Sequence, residues 1–391
     1  MDIQSLLNAR ESLNLFPTEN KMSARALTAL ASDAANRYPL LDLPEIFLGD
    51  VMGLEQVRDE CVDLAREFFG AKHAFVPFLS GLQTMHSVLS ILGHAGCRVL
   101  IMSPACGGHY ATGPICEQYG YTYAYIPFDR STLLIDIGAL SQAVSEFKPH
   151  LIYLDISSAI RLPRSRDIRA AAPDAVICLD ASHILGLLPA APETLVLDGV
   201  LNVCSGSTHK TFPGPQKGLL ITDDDAVAQT LSTRLPFSVS STHMGNVGAL
   251  AITLEELMPH RMRYAEDIMA NAKFLASCLA ASGFEVSGQE FGFTETHQVW
   301  VEMPTELPLS EWGKRLAAAN IRSTTVMLPS SGRPGLRLGV QELTRIGMGR
   351  DQMGSVSELL SSILLKNSEP TSLRSEVARV VNQFPGVCYA T

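Results

Sequence analysis

One lysine stands among hydroxyls and glycines in Ser205-Gly206-Ser207-Thr208-His209-Lys210-Thr211-Phe212-Pro213-Gly214-Pro215, just after the apolar run Leu195 to Val203. An α/β protein holds its ligands where strands end, so Lys210 has two readings. As a solvated loop cation it has no chemistry to do. As a partly desolvated amine of lowered pKa it can condense with an aldehyde to form an imine. Upstream, Val176-Ile177-Cys178-Leu179-Asp180-Ala181-Ser182-His183 reads as a short buried strand ending in an acid, with a histidine three positions later. Asp180 is either a helix N-cap or an anion that keeps a pyridinium nitrogen protonated, so that the ring can accept electrons from a carbanion. Earlier still, Phe75 to Leu79 leads through Ser80-Gly81-Leu82-Gln83-Thr84 into a helical pattern from Met85 to Leu92. Free amides at such a helix start bind anions, although a plain N-cap accounts for Ser-Gly equally well.

An amine for an aldehyde, an acid for a pyridine nitrogen and a cup for a phosphate fit one pyridoxal phosphate. In this order the chain resembles the serine hydroxymethyltransferase family of fold-type I pyridoxal phosphate enzymes. The likeness runs over nearly the whole length. Leu13-Asn14-Leu15-Phe16-Pro17-Thr18-Glu19-Asn20 is similar to the family's opening motif, which implies that Thr18 helps to hold the substrate carboxylate. Asn36-Arg37-Tyr38 resembles the segment sent across a dimer interface, Gly107-Gly108-His109 the one whose histidine stacks on the cofactor ring, and Asp180 with His183 the pair at the ring nitrogen and hydroxyl. Thr208-His209-Lys210-Thr211 resembles the Schiff-base motif, Gly335-Leu336-Arg337-Leu338-Gly339 the strand whose arginine binds the substrate carboxylate, and Val377 to Pro385 the C-terminal helix.

The resemblance implies Lys210, His109, Asp180, His183 and Tyr38 as catalytic residues, with Ser80, Gly81, Leu82, Ser207, His209, Ser241 and Thr242 joining the first four around the cofactor. His109 and Arg337 also have readings that stand without the resemblance. A planar imidazole at His109 could exclude water from a ring face, or be a satisfied core histidine. Arg337 lies between glycines in an apolar run, and a buried guanidinium needs an anion, either a substrate carboxylate or a structural Asp or Glu.

Departures from the family pattern narrow the chemistry. Its Tyr-Ala-Glu-Gly appears as Tyr38-Pro39-Leu40-Leu41, so Leu40 replaces the glutamate that works with folate. Asp42 or Glu45 could stand in only if the loop is re-registered. Thr112 replaces a second histidine, Pro213 and Gln216 replace arginines, and the phosphate-facing loop of the partner subunit reads Ser240-Ser241-Thr242-His243. The implied activity is therefore to make or break the Cα–Cβ bond of a β-hydroxy amino acid through a glycine quinonoid. Tetrahydrofolate is doubtful as a second cofactor, and a folate-independent threonine aldolase or transaldolase is the alternative. Racemisation, decarboxylation and transamination use the same electron sink. A non-catalytic relative would have no need of Asp180, His183, Lys210 and Arg337 together.

Composition agrees. A chain of 391 residues, 46% hydrophobic and 18% charged, is long enough for a large domain plus a smaller one. Its net charge of −10 argues against nucleic acid or an anionic membrane as the main partner. Eight cysteines without Cys-x-x-Cys spacing read as reduced core residues of a cytoplasmic protein, and no metal site is expected. No run has the length of a membrane span. The expected partners are an amino acid, an aldehyde co-substrate and a second copy of the chain in a homodimer with shared sites.

Alternating patterns predict an α/β fold. Glu55 to Phe69 should be a helix with Val57, Cys61, Leu64, Ala65 and Phe68 on one face and Gly70 closing it. Short strands are expected at Arg98 to Met102, Thr122 to Ile126, His150 to Leu154, Ala175 to Leu179, Leu201 to Cys204 and Gly218 to Ile221, forming a mostly parallel seven-stranded-type sheet covered on both faces. The division expected is an N-terminal arm over 1–50, a large cofactor-binding domain over 51–245, and an interdomain helix with a small α+β domain over 246–391. In that last part Met244 to Ala281 is helical and Glu285 to Val286, Gln298 to Met303 and Leu336 to Val340 are strands.

Overall fold

The computed structural model describes residues 12–38 and 53–390. Seven strands build the large sheet: β1 (His73–Phe75), β2 (Arg98–Ile101), β3 (Thr122–Tyr125), β4 (Leu151–Asp155), β5 (Val176–Asp180), β6 (Val203–Ser207) and β7 (Gly218–Thr222). They lie in the order β1-β7-β6-β5-β4-β2-β3, with β7 antiparallel to both of its neighbours and the other pairings parallel. Every residue of β4, β6 and β7 is buried, as expected of strands covered on both faces.

Parallel pairing brings the ends of the strands to one edge. The register sets Asp155 beside Asp180 and Asp180 beside Ser205, so three polar residues cross that edge on adjacent strands. The sixth strand begins later than its apolar run suggested and continues through Ser205-Gly206-Ser207. Those residues carry little strand propensity, yet the ladder to β7 needs them, and a Cβ at Gly206 would come within 3.1 Å of the Ala181 backbone.

Helix α1 (Leu54–Phe69) buries Cys61, Ala65, Phe68 and Phe69 and ends at Gly70, whose φ of +67° is the left-handed conformation glycine tolerates. Val57, expected on the buried face, is 37% exposed. Helix α2 (Gly81–Leu92) is capped by the Ser80 hydroxyl, which accepts from the Gln83 amide. The long helical stretch is divided into α3 (Met244–Leu257) and α4 (Arg261–Ala281) by a turn at Met258–His260, where Pro259 can supply no amide to a continuing helix.

Beyond α4 an antiparallel sheet contains β8 (Gln298–Glu302), β9 (Thr324–Met327) and β10 (Pro334–Gly339), in the order β8-β10-β9. The strand expected at Glu285 to Val286 is only a single bridge from Val286 to Val301. Leu13–Asn14 pairs with Ile321–Arg322, and the Gly339 amide donates to Leu15 O, which stitches the N-terminal segment to this layer. The C-terminal helix runs Arg374–Val381 and stops short of Pro385. Cys61, Cys97, Cys116, Cys178 and Cys204 are buried, Cys106 and Cys278 half-buried, and Cys388 exposed, so the core reading fits five of the eight free cysteines. No helix among the described residues is long and apolar enough to cross a membrane.

Candidate active site

Asp180 closes β5 with its carboxylate buried. It accepts hydrogen bonds from Tyr153 Oη at 3.1 Å, the Ser182 amide at 3.0 Å and Ser182 Oγ at 2.5 Å. All three donors are neutral, and Asp180 has no ion-pair partner among the described residues. No α-helix starts after it, so it is not an α-helix N-cap. What remains is a buried anion in need of a cation.

Lys210 follows β6 in a loop closed by Gly214 N donating to Thr208 O, and its own carbonyl accepts from Asn20 Nδ2 at 2.6 Å. Its amine has no hydrogen bond and no ion pair among the described residues. Burial, with Arg337 adding to it against the pull of Asp180, pushes the ammonium down to about 8. The free amine is therefore about one tenth of the population at pH 7, far more than for an ordinary lysine.

Gly81 opens α2 against the ends of β5 and β6. A Cβ there would sit 2.9 Å from Ser182 Oγ and 3.0 Å from Ser207 Cβ, so only glycine lets the helix start approach so closely. Ser207 Oγ is buried without a partner in this corner, while its amide donates to Ser182 Oγ. Ser80 is occupied as the helix cap, and Leu82 is 44% exposed, so its side chain adds nothing to the cup. His209 is half-buried with Nδ1 unpartnered, and burial followed by Lys210 pushes it down to about 4.

His183 is buried, stacked on His297 with centroids 6.1 Å apart and planes at 26°, and Gln298 Nε2 donates to its Nδ1 at 3.5 Å. That bond places the imidazole proton on Nε2. Burial, Lys210 and Arg337 hold His183 well below the usual histidine range, so it stays neutral. His109 is half-buried, and burial lowers its pKa, with Asp180 opposing and Lys210 adding to the shift; both lie within its electrostatic reach.

Arg337, on β10, donates through Nη1 to Ser157 O at 3.1 Å and Ser158 Oγ at 2.7 Å, while its buried Nε has no partner. No carboxylate lies within ion-pair distance among the described residues, so the structural Asp or Glu partner is missing, and burial lowers the guanidinium to about 10. Thr18 follows Pro17, whose carbonyl is bonded by His297 Nε2 at 3.1 Å.

Three expected residues lie elsewhere. Tyr38 is 50% exposed, following the turn Asp33–Asn36 that packs on α3, and Ser241 and Thr242 precede α3, where Thr242 O accepts from Lys217 Nζ at 2.8 Å. None of their hydrogen bonds reaches Lys210, Asp180 or Arg337. Leu40, Asp42 and Glu45 lie outside the described residues. Asp155, Tyr153, Ser157, Ser158, Ser182, His297 and Gln298 all touch the site and were not anticipated. Asp155 alone had a visible signal, because Leu151-Ile152-Tyr153-Leu154-Asp155 has the same apolar-run-then-acid form as the strand ending in Asp180.

A free amine, a buried anion lacking a cation, an orphaned hydroxyl beside a glycine-opened helix and an unpaired guanidinium match the aldehyde, ring nitrogen and phosphate of pyridoxal phosphate and the carboxylate of an amino acid. The family model described as serine hydroxymethyltransferase matches residues 4–360. The chain belongs to that family. It is 32% identical to serine hydroxymethyltransferase of Methanopyrus kandleri, over 99% of this chain and 95% of the relative. It is 34% identical to an L-threonine:uridine-5'-aldehyde transaldolase of a Streptomyces species, over 87% of this chain and 84% of the relative. The crystal structure of L-threonine transaldolase from Pseudomonas fluorescens, in its internal aldimine state, superposes with a TM-score of 0.91 at 27% identity, covering 97% of this chain and 90% of that one. The protein is a pyridoxal-phosphate-dependent enzyme that acts on amino acids.

Proposed function

We propose that this enzyme breaks and re-forms the Cα–Cβ bond of a threonine-like β-hydroxy amino acid, exchanging one aldehyde for another without folate. The observation that carries the reading is that the Lys210 amine lies within electrostatic reach of both the Asp180 carboxylate and the Arg337 guanidinium, while neither cation has a carboxylate partner within ion-pair distance among the described residues. Lys210 is the attachment point for the cofactor. Asp180 holds a proton at the ring nitrogen, His183 Nε2–H meets the ring hydroxyl, and His109 covers a ring face. Ser80, Gly81 and Leu82 offer backbone amides, and Ser207 and His209 side chains, at the phosphate end. Pyridoxal phosphate held there would supply an electron sink for breaking a bond to Cα. Arg337 and Thr18 fix the substrate carboxylate, and with it the choice of the Cα bond that faces the ring. Tyr38, Ser241 and Thr242 act in the neighbouring site of a homodimer, which works in the cytoplasm. Residues 51–245 form the large domain and 246–391 the interdomain helix and small domain.

An aldehyde is favoured over folate as the acceptor because Leu40 stands where the family pattern has a glutamate, and because relatives named for transaldolase activity match at 34% and 31% identity. Hydroxymethyl transfer to tetrahydrofolate is the second reading, favoured by the near full-length match to the Methanopyrus kandleri protein. Mass spectrometry of products from the holoenzyme with threonine and a panel of aldehydes, with and without tetrahydrofolate, separates them. The expected result is acetaldehyde and a new β-hydroxy amino acid without folate. Turnover of serine that depends strictly on folate, with threonine inert, overturns the proposal.

A further inference from the structure

Asp155 is the second acid at the sheet edge, buried and adjacent in register to Asp180. All of its donors from outside its own strand come from the segment after β2. Its Oδ2 accepts from the His109 amide at 2.8 Å and from the Thr112 hydroxyl, and its Oδ1 from the Met102 amide at 3.3 Å. No cation pairs with it among the described residues.

The same loop is clamped from its other side. Gly107 O accepts from the Ser157 and Ser158 amides at 3.0 and 2.9 Å, and Ser157 and Ser158 in turn hold Arg337. The glycines make the clamp sterically attainable: a Cβ at Gly107, where φ is +96°, would lie 2.0 Å from Ser158 O, and one at Gly108 2.3 Å from Met102 O. His109 thus leaves a backbone held by one buried carboxylate on one side and one strand exit on the other.

We propose that Asp155, with Thr112, is the positioning residue of His109: its carboxylate binds the His109 amide and the Thr112 hydroxyl and so sets the height and tilt of the imidazole over the cofactor ring. This rests on the cofactor reading above. Burying a carboxylate without a cation is costly: burial pushes Asp155 up to about 7, and the bonds from Thr112 and His109 offset only part of that cost. Asp155 does not touch the reacting atoms. It acts through the loop.

The test uses the holoenzymes of D155A, D155N, T112V and T112S. Its readout is the visible circular dichroism of the bound cofactor divided by its absorbance, a ratio that reports ring environment per bound cofactor and is unaffected by loss of folded protein. In D155A the His109 amide loses its acceptor, so the ratio should change and kcat should fall about 100-fold, the scale of a misplaced catalytic group, with KM for the amino acid moving far less. D155N keeps an oxygen for the amide and should retain most of both signals. Should D155A fail to fold, the threonine pair carries the test: T112V shifts the ratio and T112S restores it. A wild-type ratio and kcat in D155A, or equal values for T112V and T112S, overturns the proposal. Failure of the cofactor reading is distinct, since borohydride reduction of the wild-type enzyme would then leave no label on Lys210.

Discussion

The two edges of the large sheet treat their polar groups in opposite ways. At the edge where β2, β4, β5 and β6 begin, two arginines spend their donors on nearby carbonyls. Arg98 Nε bonds Phe147 O and Lys148 O, and Arg169 bonds the carbonyls of Ala172, Pro173, Ala175 and Val200 together with Asn202 Oδ1. His94, Cys97 and His150 are grouped there like metal ligands, with ligand atoms within 4.8 Å of one another, but His150 Nδ1 already accepts the Arg98 amide at 3.0 Å. At the opposite edge the Lys210 amine, Arg337 Nε and Ser207 Oγ have no hydrogen-bond partner among the described residues. Both edges are built from parallel strands of the same sheet, so topology alone does not make a site. Buried or half-buried donors left unsatisfied do, because their desolvation cost is recovered only when a ligand arrives.

The strongest way to break this contrast is at Lys210. K210A should abolish covalent capture of pyridoxal phosphate, seen by borohydride reduction and peptide mapping, and lower turnover by at least about 10³-fold. In the wild-type apoenzyme only the free amine attacks, so the rate of attachment should rise with pH, about tenfold per unit below the pKa, and level off above about 8. A flat profile between pH 6 and about 8 would mean that the amine is committed elsewhere. Next in size is R337L, which should lower kcat/KM for amino acids about 100-fold, as expected for loss of a charge-assisted bidentate contact. The corresponding amines, which lack the carboxylate, should react at unchanged rates; an equal loss on both would assign Arg337 a structural role. The smallest effect belongs to the edge where the strands begin. R169M should lower stability by about 2 kcal/mol, read from the denaturant midpoint, and leave kcat as it was. A change in kcat there would show that the two edges are coupled.

Much of the site could be read before the fold was known. Lys210, Asp180, His183 and Arg337 stood out because each is a polar side chain in an apolar or glycine-rich setting, where chemistry is the simplest account of its presence. Asp155 carried a signal in its strand, but its role was hidden for a physical reason. Its strand ends like that of Asp180, but its partners lie 43 and 46 residues earlier, at Thr112 and His109, and nothing local announces them. Likewise β6 ran past its apolar stretch, since pairing with β7 on one side and β5 on the other compensates for weak strand formers. The face of α1 was read correctly at Cys61, Ala65 and Phe68 and wrongly at Val57, because helical period identifies a stripe but not where its margin meets solvent.

By itself the amino-acid sequence determined the class of fold and marked Lys210, Asp180, His183 and Arg337 as candidates for chemistry, because periodicity, glycine placement and isolated polar residues are local properties of a chain. Tertiary structure decided which of those side chains remain unpartnered. Only packing brings Ser157 to Arg337, Asp155 to His109 and α2 against Ser207, and a donor is satisfied or left waiting according to atoms that arrive from distant parts of the chain.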